Sequence, residues 1–325
     1  MPGYRKRRKS EGMACLLRGS VRAASRKYTS QQMRCASTGL KKTLMEIIPE
    51  KRELFKKLRT EHGQTSLGNV TIESAMGGMR GMKAMLWEGS VLDAEEGIRF
   101  HGMTIPECQE KLPKGTDGKE MAPEAMFWLL LTGKVPSQEQ IRSFSKDLSS
   151  RVSSGPKPDL SGAANTNVHP MVRLSTAVLA LSNQSKFSQA YVEGVDKAAY
   201  WELSILPTMK CLTVVYEDAL NLLAWMPTLA AYSLVQPKSI DALWDRCGGM
   251  VDHDWCKNFA LMLDPERASK NPDFADLIRL YVALHADHEG GNVSAHATHL
   301  VGSALSDAYL SYSAGLNGYL HSFCR

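Results

Sequence analysis

Along most of the chain, apolar residues recur at three- and four-residue steps, the period of a helix with one buried face. Residues 40–63 read as the first helix, with Pro49 in a first turn and Gly63 as the stop. Residues 66–106 break the rhythm. Ser66–Ile72 and Met85–Ile105 carry β-branched residues, glycines and short alternations, which predict small strands and a hairpin turn at Glu96-Gly97. The helical period resumes at Pro123–Gly133, where proline starts and glycine stops, and at 138–152, with Ser137 as N-cap. A Ser/Gly/Pro-rich loop follows over 152–166. Further helices are predicted at His169–Asn183, Ser185–Leu203, 216–233, 254–263, 273–288 and 293–306. The fold class is therefore mainly α, with minor β near residues 66–105.

The helix at 293–306 is rich in Ser, Ala and Gly, which lets neighbours approach closely and predicts a buried element at a subunit interface. A chain of 325 residues can bury roughly three quarters of its unfolded surface. It contains no run of eighteen apolar residues, so no membrane span is expected.

The net charge of +5 is unevenly placed: residues 1–36 hold ten Lys/Arg and one acid. Without them the body carries 29 bases against 33 acids and gives no reason to expect nucleic-acid binding. The Arg- and Ser-rich, acid-poor segment 1–36 suits a mitochondrial presequence. Its better start is Met13, which makes residues 1–12 an upstream extension. Seven scattered cysteines with no C-x-x-C pair argue against a disulfide framework or a structural zinc site.

The densest chemistry lies in His285-Ala-Asp-His288-Glu-Gly290-Gly291-Asn292-Val-Ser294-Ala-His296-Ala-Thr-His299. His288 is expected in the last turn of one helix, just before a glycine break, with Asn292 or Ser294 capping the next. An imidazole beside free helix-terminal N–H groups is a seat for a carboxylate; a dipole-favoured C-terminal histidine is the plainer reading. The pairs His285-x-x-His288 and His296-x-x-His299 also invite a metal. The absence of H-E-x-x-H and of an acidic third ligand favours helix packing instead. Gly77–Lys83 (GGMRGMK) is a glycine-rich loop with two cations that could touch phosphate, without a P-loop ending. The methionines at 76, 79, 82 and 85 read as core filler.

Gly77–Lys83, Ser90–Phe100 (SVLDAEEGIRF), Ile105–Gln109, Phe127–Gly133 (FWLLLTG), His169-Pro-Met171, Tyr200–Leu203 and His285–Leu310 together resemble the citrate synthase family, in order from about residue 40 to about residue 318. The resemblance implies a large multi-helical domain, a smaller helical domain and a homodimer built on His169–Asn183, Ser185–Leu203, 273–288 and 293–306. It implies condensation of acetyl-CoA with oxaloacetate to citrate and CoA in the mitochondrial matrix. Acetyl-CoA is then a co-substrate, and neither a permanently bound cofactor nor a metal is expected. By the same resemblance His288 holds oxaloacetate, Asn292 and Ser294 support the first catalytic histidine, and Arg80 lies near the CoA phosphates. His285, His296 and His299 match no catalytic position.

Two departures qualify this. Ser204–Val215 intervenes between Tyr-Trp-Glu-Leu and Tyr-Glu-Asp, which the family joins almost directly. An insert there should loop out or shift register, with Pro207 breaking the helix. After Gly318 the family's Gly-Pro-Leu-His-Gly segment is replaced by a divergent tail, 319–325, in which His321 is the candidate stand-in for the first catalytic histidine. The expected organisation is thus a presequence (1–36), the N-terminal part of the large domain (37–318) and the tail, without the small domain. The expectation is a chain inactive alone. Alternatives are a non-catalytic truncated isoform that pairs with full-length subunits, and a methylcitrate synthase using propionyl-CoA.

Overall fold

The chain's helical periods become fourteen α-helices and one two-stranded hairpin in a computed structural model that describes residues 39–78, 89–165, 167–195, 210–248, 253–288 and 292–320. The mainly-α expectation holds. The expected presequence (1–36), Tyr200–Leu203, the first half of the insert and His321 lie outside the described residues.

Helix α1 (Gly39–His62) agrees with the sequence reading, but Pro49 sits mid-helix rather than in the first turn. Ser66–Ile72 is not a strand. Thr71 and Ser74 form a reciprocal capping box that starts the short helix α2 (Ile72–Met76), and this local bonding overrides the β-branched alternation. Met76, expected in the core, is exposed. Strands β1 (Ser90–Asp93) and β2 (Gly97–Phe100) pair antiparallel, with Asp93 opposite Gly97. The turn is thus 94–96, one residue earlier than predicted. Asp93 Oδ1 accepts the N–H groups of Glu95 and Glu96 at 2.8 Å each, and Gly97 takes the left-handed φ of 82° that closes a three-residue loop. Those N–H groups pull the Asp93 carboxyl below its usual range.

Next come α3 (Ile105–Lys111), α4 (Pro123–Thr132), α5 (Gln138–Ser154), α6 (Pro170–Ala180) and α7 (Lys186–Val192). Ser137 caps α5 in a capping box with Gln140, as expected. Helix α7 ends at Val192, far short of the predicted Leu203, because Gly194 turns the chain at φ 91°. The long helix α8 (Lys210–Val235) starts inside the insert. Residues 210–215, the described half of the insert, form the first turn and a half of that helix rather than a loop. Short α9 (Ile240–Asp245) precedes α10 (Trp255–Leu263), α11 (Pro265–Lys270), α12 (Pro272–Leu284), α13 (Val293–Ser303) and α14 (Ala308–Leu320). The last of these had no counterpart among the predicted helices.

Helix α8 runs through the middle and packs on α5, α6, α7, α10 and α14. The core around it contains Trp128, Phe144, Trp225 and Leu229, all fully buried. Pro227 removes an N–H inside α8 and so leaves the Leu223 carbonyl without its helical donor. The indole N–H of Trp255 on α10 donates to that carbonyl at 2.8 Å. A helix defect is thereby converted into a tertiary joint. Among the described residues no helix is long and apolar enough to cross a membrane.

Candidate functional site

The His-rich segment is held from both sides. Before it, α12 is capped by Asn271 and anchored by Arg279, which is 1% exposed. Arg279 donates to Asp254 Oδ2 at 2.6 Å, to Asp276 Oδ1 at 2.7 Å and to the Thr116 carbonyl at 2.8 Å. Asp254 in turn caps α10 and accepts the Thr116 N–H at 2.9 Å. Gly115 and Gly118 leave the space the guanidinium fills, since a Cβ at either would overlap it. Burial raises the Asp276 carboxyl, but the Lys119 N–H, Arg279 and the Glu120 N–H outweigh it and hold the group low.

Beside this pair lies Glu124 on α4, 2% exposed. Its Oε1 accepts the Ser145 hydroxyl and the Trp255 N–H at 2.8 Å each, and its Oε2 has no partner among the described residues. Burial, and then the Asp254 charge, push this carboxyl up to about 7. The same surroundings push the buried Cys256 thiol well up, so it is an inert core residue rather than a nucleophile.

Helix α12 ends at Leu284, four residues before His288, so His288 is not in its last turn. His285 takes the C-cap position. Its ring stacks on Tyr281 at 4.3 Å between centroids and its Nδ1 lies 2.7 Å from the Tyr281 carbonyl. His285 and His288 therefore do not share a helix face, so that pair lacks the arrangement its spacing suggested. His288 follows in irregular, exposed chain. Glu289-Gly290-Gly291 lies outside the described residues, as do Arg80 and most of Gly77–Lys83.

After the break, Asn292 caps α13, as expected. Its Oδ1 accepts the Ala295 N–H at 2.8 Å and the Ser294 hydroxyl at 2.6 Å, so these two predicted residues do meet. No residue of α13 is buried within this chain alone. One side of it packs on α14, where a Cβ at Gly315 would overlap Thr298 and one at Gly318 would lie 3.1 Å from Val293 Cγ1. The small residues thus serve a close helix pair, and the remaining faces stay open, with Leu300 61% exposed.

Helix α14 was missed in the sequence, and so was Asp307. Its Oδ1 accepts the Leu310 N–H at 2.9 Å, capping α14, and its Oδ2 accepts the Ser188 hydroxyl at 2.9 Å. An aspartate three residues before an apolar position was the available signal. Ser175 on α6 completes the support. It lies 3.1 Å from the Ser313 hydroxyl and donates to Asn317 Oδ1 at 2.9 Å.

Chemically, the result is a solvent-facing imidazole followed by the capped N-terminus of an eleven-residue helix, backed by a rigid helix pair. Such a place suits an anionic ligand, for which backbone N–H groups and imidazole are complementary donors.

The family model described as "Citrate synthase, C-terminal domain" matches residues 78–321. The chain is 52% identical to a mitochondrial 2-methylcitrate synthase of Aspergillus fumigatus, over 90% of this chain and 59% of that protein. It is 46% identical to a mitochondrial citrate synthase of Neurospora crassa, over 93% of this chain and 62% of that protein. The chain thus spans about three fifths of the length of these curated relatives. The solved citrate synthase of Pyrobaculum aerophilum superposes with a TM-score of 0.50 at 24% identity, over 72% of this chain and 52% of that one, a likeness of fold.

Proposed function

This chain belongs to the citrate synthase family, and from that premise we propose that it carries the oxaloacetate-facing turn of an acyltransferase condensing acetyl-CoA with oxaloacetate. The products are citrate and free CoA. The observation that supports this best is the continuous family match across residues that put an exposed His288 just ahead of the Asn292-capped helix α13. In this reading His288 donates a hydrogen bond to the keto acid, and the fixed donors around it stabilise negative charge developing on the ketone oxygen. Asn292 and Ser294 keep the helix start rigid, so little reorganisation is required when the ligand arrives. Arg80 contacts the CoA phosphates.

The working form is a homodimer of the mitochondrial matrix. Its interface uses α6, α12 and α13, which present Val172, Leu179, Leu277, Tyr281, Val293 and Leu300 to solvent in the single chain. The relatives matched carry "mitochondrial" in their names, which supports the compartment. A second reading, condensation of propionyl-CoA to methylcitrate, is favoured by the 52% identity to the Aspergillus protein against 46% to the Neurospora one.

Calorimetric titration with oxaloacetate tests the site. Wild-type protein should bind and His288→Gln should bind at least about tenfold more weakly, the cost of a charged-ligand hydrogen bond. Equal affinity of the two would remove the assignment. Release of free CoA from acetyl-CoA and propionyl-CoA in parallel then separates the two readings.

A further inference from the structure

The first turn of α13 is braced from behind by bare backbone. Gly315 and Gly318 lie about one turn apart on α14, on the face turned to α13. A Cβ on Gly315 would overlap Thr298 Oγ1 and lie 3.0 Å from the Ser294 carbonyl oxygen. A Cβ on Gly318 would lie 3.1 Å from Val293 Cγ1 and 3.8 Å from Ser294 Cα. Both glycines are helical with ordinary negative φ, so what they provide here is room rather than backbone freedom.

The contact reaches the cap through printed-length hydrogen bonds. The Thr298 hydroxyl donates to the Ser294 carbonyl at 2.8 Å, and the Ser294 hydroxyl donates to Asn292 Oδ1 at 2.6 Å. That same Oδ1 accepts the Ala295 N–H at 2.8 Å and closes the first turn. Helix α14 is itself pinned on the opposite side. The buried Ser175 hydroxyl of α6 lies 3.1 Å from the Ser313 hydroxyl and donates to Asn317 Oδ1 at 2.9 Å, so its partners bracket Gly315 in sequence. Because α13 has no buried residue of its own, this edge is what places it within the chain.

We propose that Gly315 is a positioning residue: by carrying no side chain it lets α14 seat the Asn292–Ala295 turn that faces the keto acid. The ligand is that of the preceding section, on which this rests. Gly315 does not touch it. A methyl group at this position must displace Thr298, whose branched side chain is stiff at χ1, and with it the Ser294 carbonyl to which Thr298 is bonded. The N–H groups at the helix start move with that carbonyl, and donors misplaced by a fraction of an ångström bind their ligand less well.

The test uses the whole chain and two readouts: oxaloacetate affinity by calorimetry, and hydrogen exchange of residues 293–298 without ligand. Gly315→Ala should bind oxaloacetate about tenfold more weakly and exchange these amides faster. Thr298→Ser should bind like the wild type, because its hydroxyl still reaches the Ser294 carbonyl. Serine lacks the second heavy atom that stiffens χ1, so its hydroxyl can also swing clear of an added methyl group. Gly315→Ala combined with Thr298→Ser should therefore recover most of the lost affinity and protection. A general loss of stability would not be repaired by that change, so recovery marks the contact itself. Gly318→Ala pushes more gently on the same turn and should show a smaller loss that Val293→Ala restores, which serves if Gly315→Ala does not fold. Wild-type affinity in the glycine variant measured, or a double variant no better than the single one, overturns the positioning role. Failure of the wild type to bind oxaloacetate overturns the site reading instead, while exchange over 293–298 still decides whether Gly315 sets the turn.

Discussion

Helices α12 and α13 flank the same turn and are of similar length, yet they are stabilised in opposite ways. The α12 side is closed. Arg279 is locked to Asp254, Asp276 and Thr116 beneath Gly115 and Gly118, and α12 rests on α4 and α10. The α13 side is open. It has one tight partner, α14, and no buried residue of its own. The closed side behaves as a foundation whose stability is internal to this chain. The open side is placed accurately along one edge and leaves apolar surface for something else to cover. The turn between them thus has one wall fixed within this chain and one whose outer face is open.

The contrast breaks most sharply at Arg279. Arg279→Met keeps a long apolar stem but strands two buried carboxylates, and removing one partner of a buried ion pair costs about 3–5 kcal/mol. Urea denaturation should show that loss, since Arg279 is 1% exposed and no water can replace it. A loss under about 1 kcal/mol would mean that the ionic framework is not the foundation.

The second break is through pH. Glu124 has an ordinary value of 4.5 that burial and Asp254 raise to about 7 in the folded chain. The folded state therefore holds its proton where the unfolded state has already lost it. Between pH 4.5 and about 7, stability should fall as pH rises, and above that window this contribution should be flat. Glu124→Gln should abolish that slope. The slope is the measure rather than the level, because a Gln Nε2 in place of the unpartnered Oε2 adds a penalty that does not vary with pH. Parallel pH profiles for wild type and variant would place the titration elsewhere.

The helical architecture was legible because start and stop signals survive tertiary context: Pro123 and Gly133 bound a helix buried on most sides, and the Ser137 cap opens the amphipathic Gln138–Ser154. Ser66–Ile72 was misread because β-branched residues resemble a strand until the Thr71–Ser74 capping box is weighed. Of the insert only 210–215 is described, and those six residues are helical and run on into the predicted 216–233 helix. At the site, capping rules left Asn292 and Ser294 as alternatives, and Asn292 is the cap, with the Ser294 hydroxyl on its Oδ1. The placement of His101 was invisible for a different reason. Its ring sits between Gly89 and Gly133, 44 residues apart in sequence, and that slot is created by the packing of the hairpin on the end of α4. The small residues of α13 signalled close approach, which within this chain is met by α14, and they could not say whether a second neighbour belongs to the same chain.

The smallest effect on the chain itself, and the one that sharpens the contrast most, is expected at Leu300. This side chain is 61% exposed on α13, whereas Leu129 on α4 is 2% exposed. Leu300→Lys removes no buried contact, so the unfolding free energy of the isolated chain should change by no more than about 0.5 kcal/mol. If the open side is an interface between two copies, however, a two-fold axis places the substitution there twice, and two lysines are buried without partners. Sedimentation velocity should then show the wild type as a dimer and the variant as a monomer at the same concentration. Oxaloacetate affinity should weaken as well, because α13 carries the helix start beside His288 and loses its outer support. A variant that stays dimeric with unchanged affinity would show that α13 is fixed by α14 alone, through the close approach at Gly315 and Gly318, and that the open face has no part in shaping the turn.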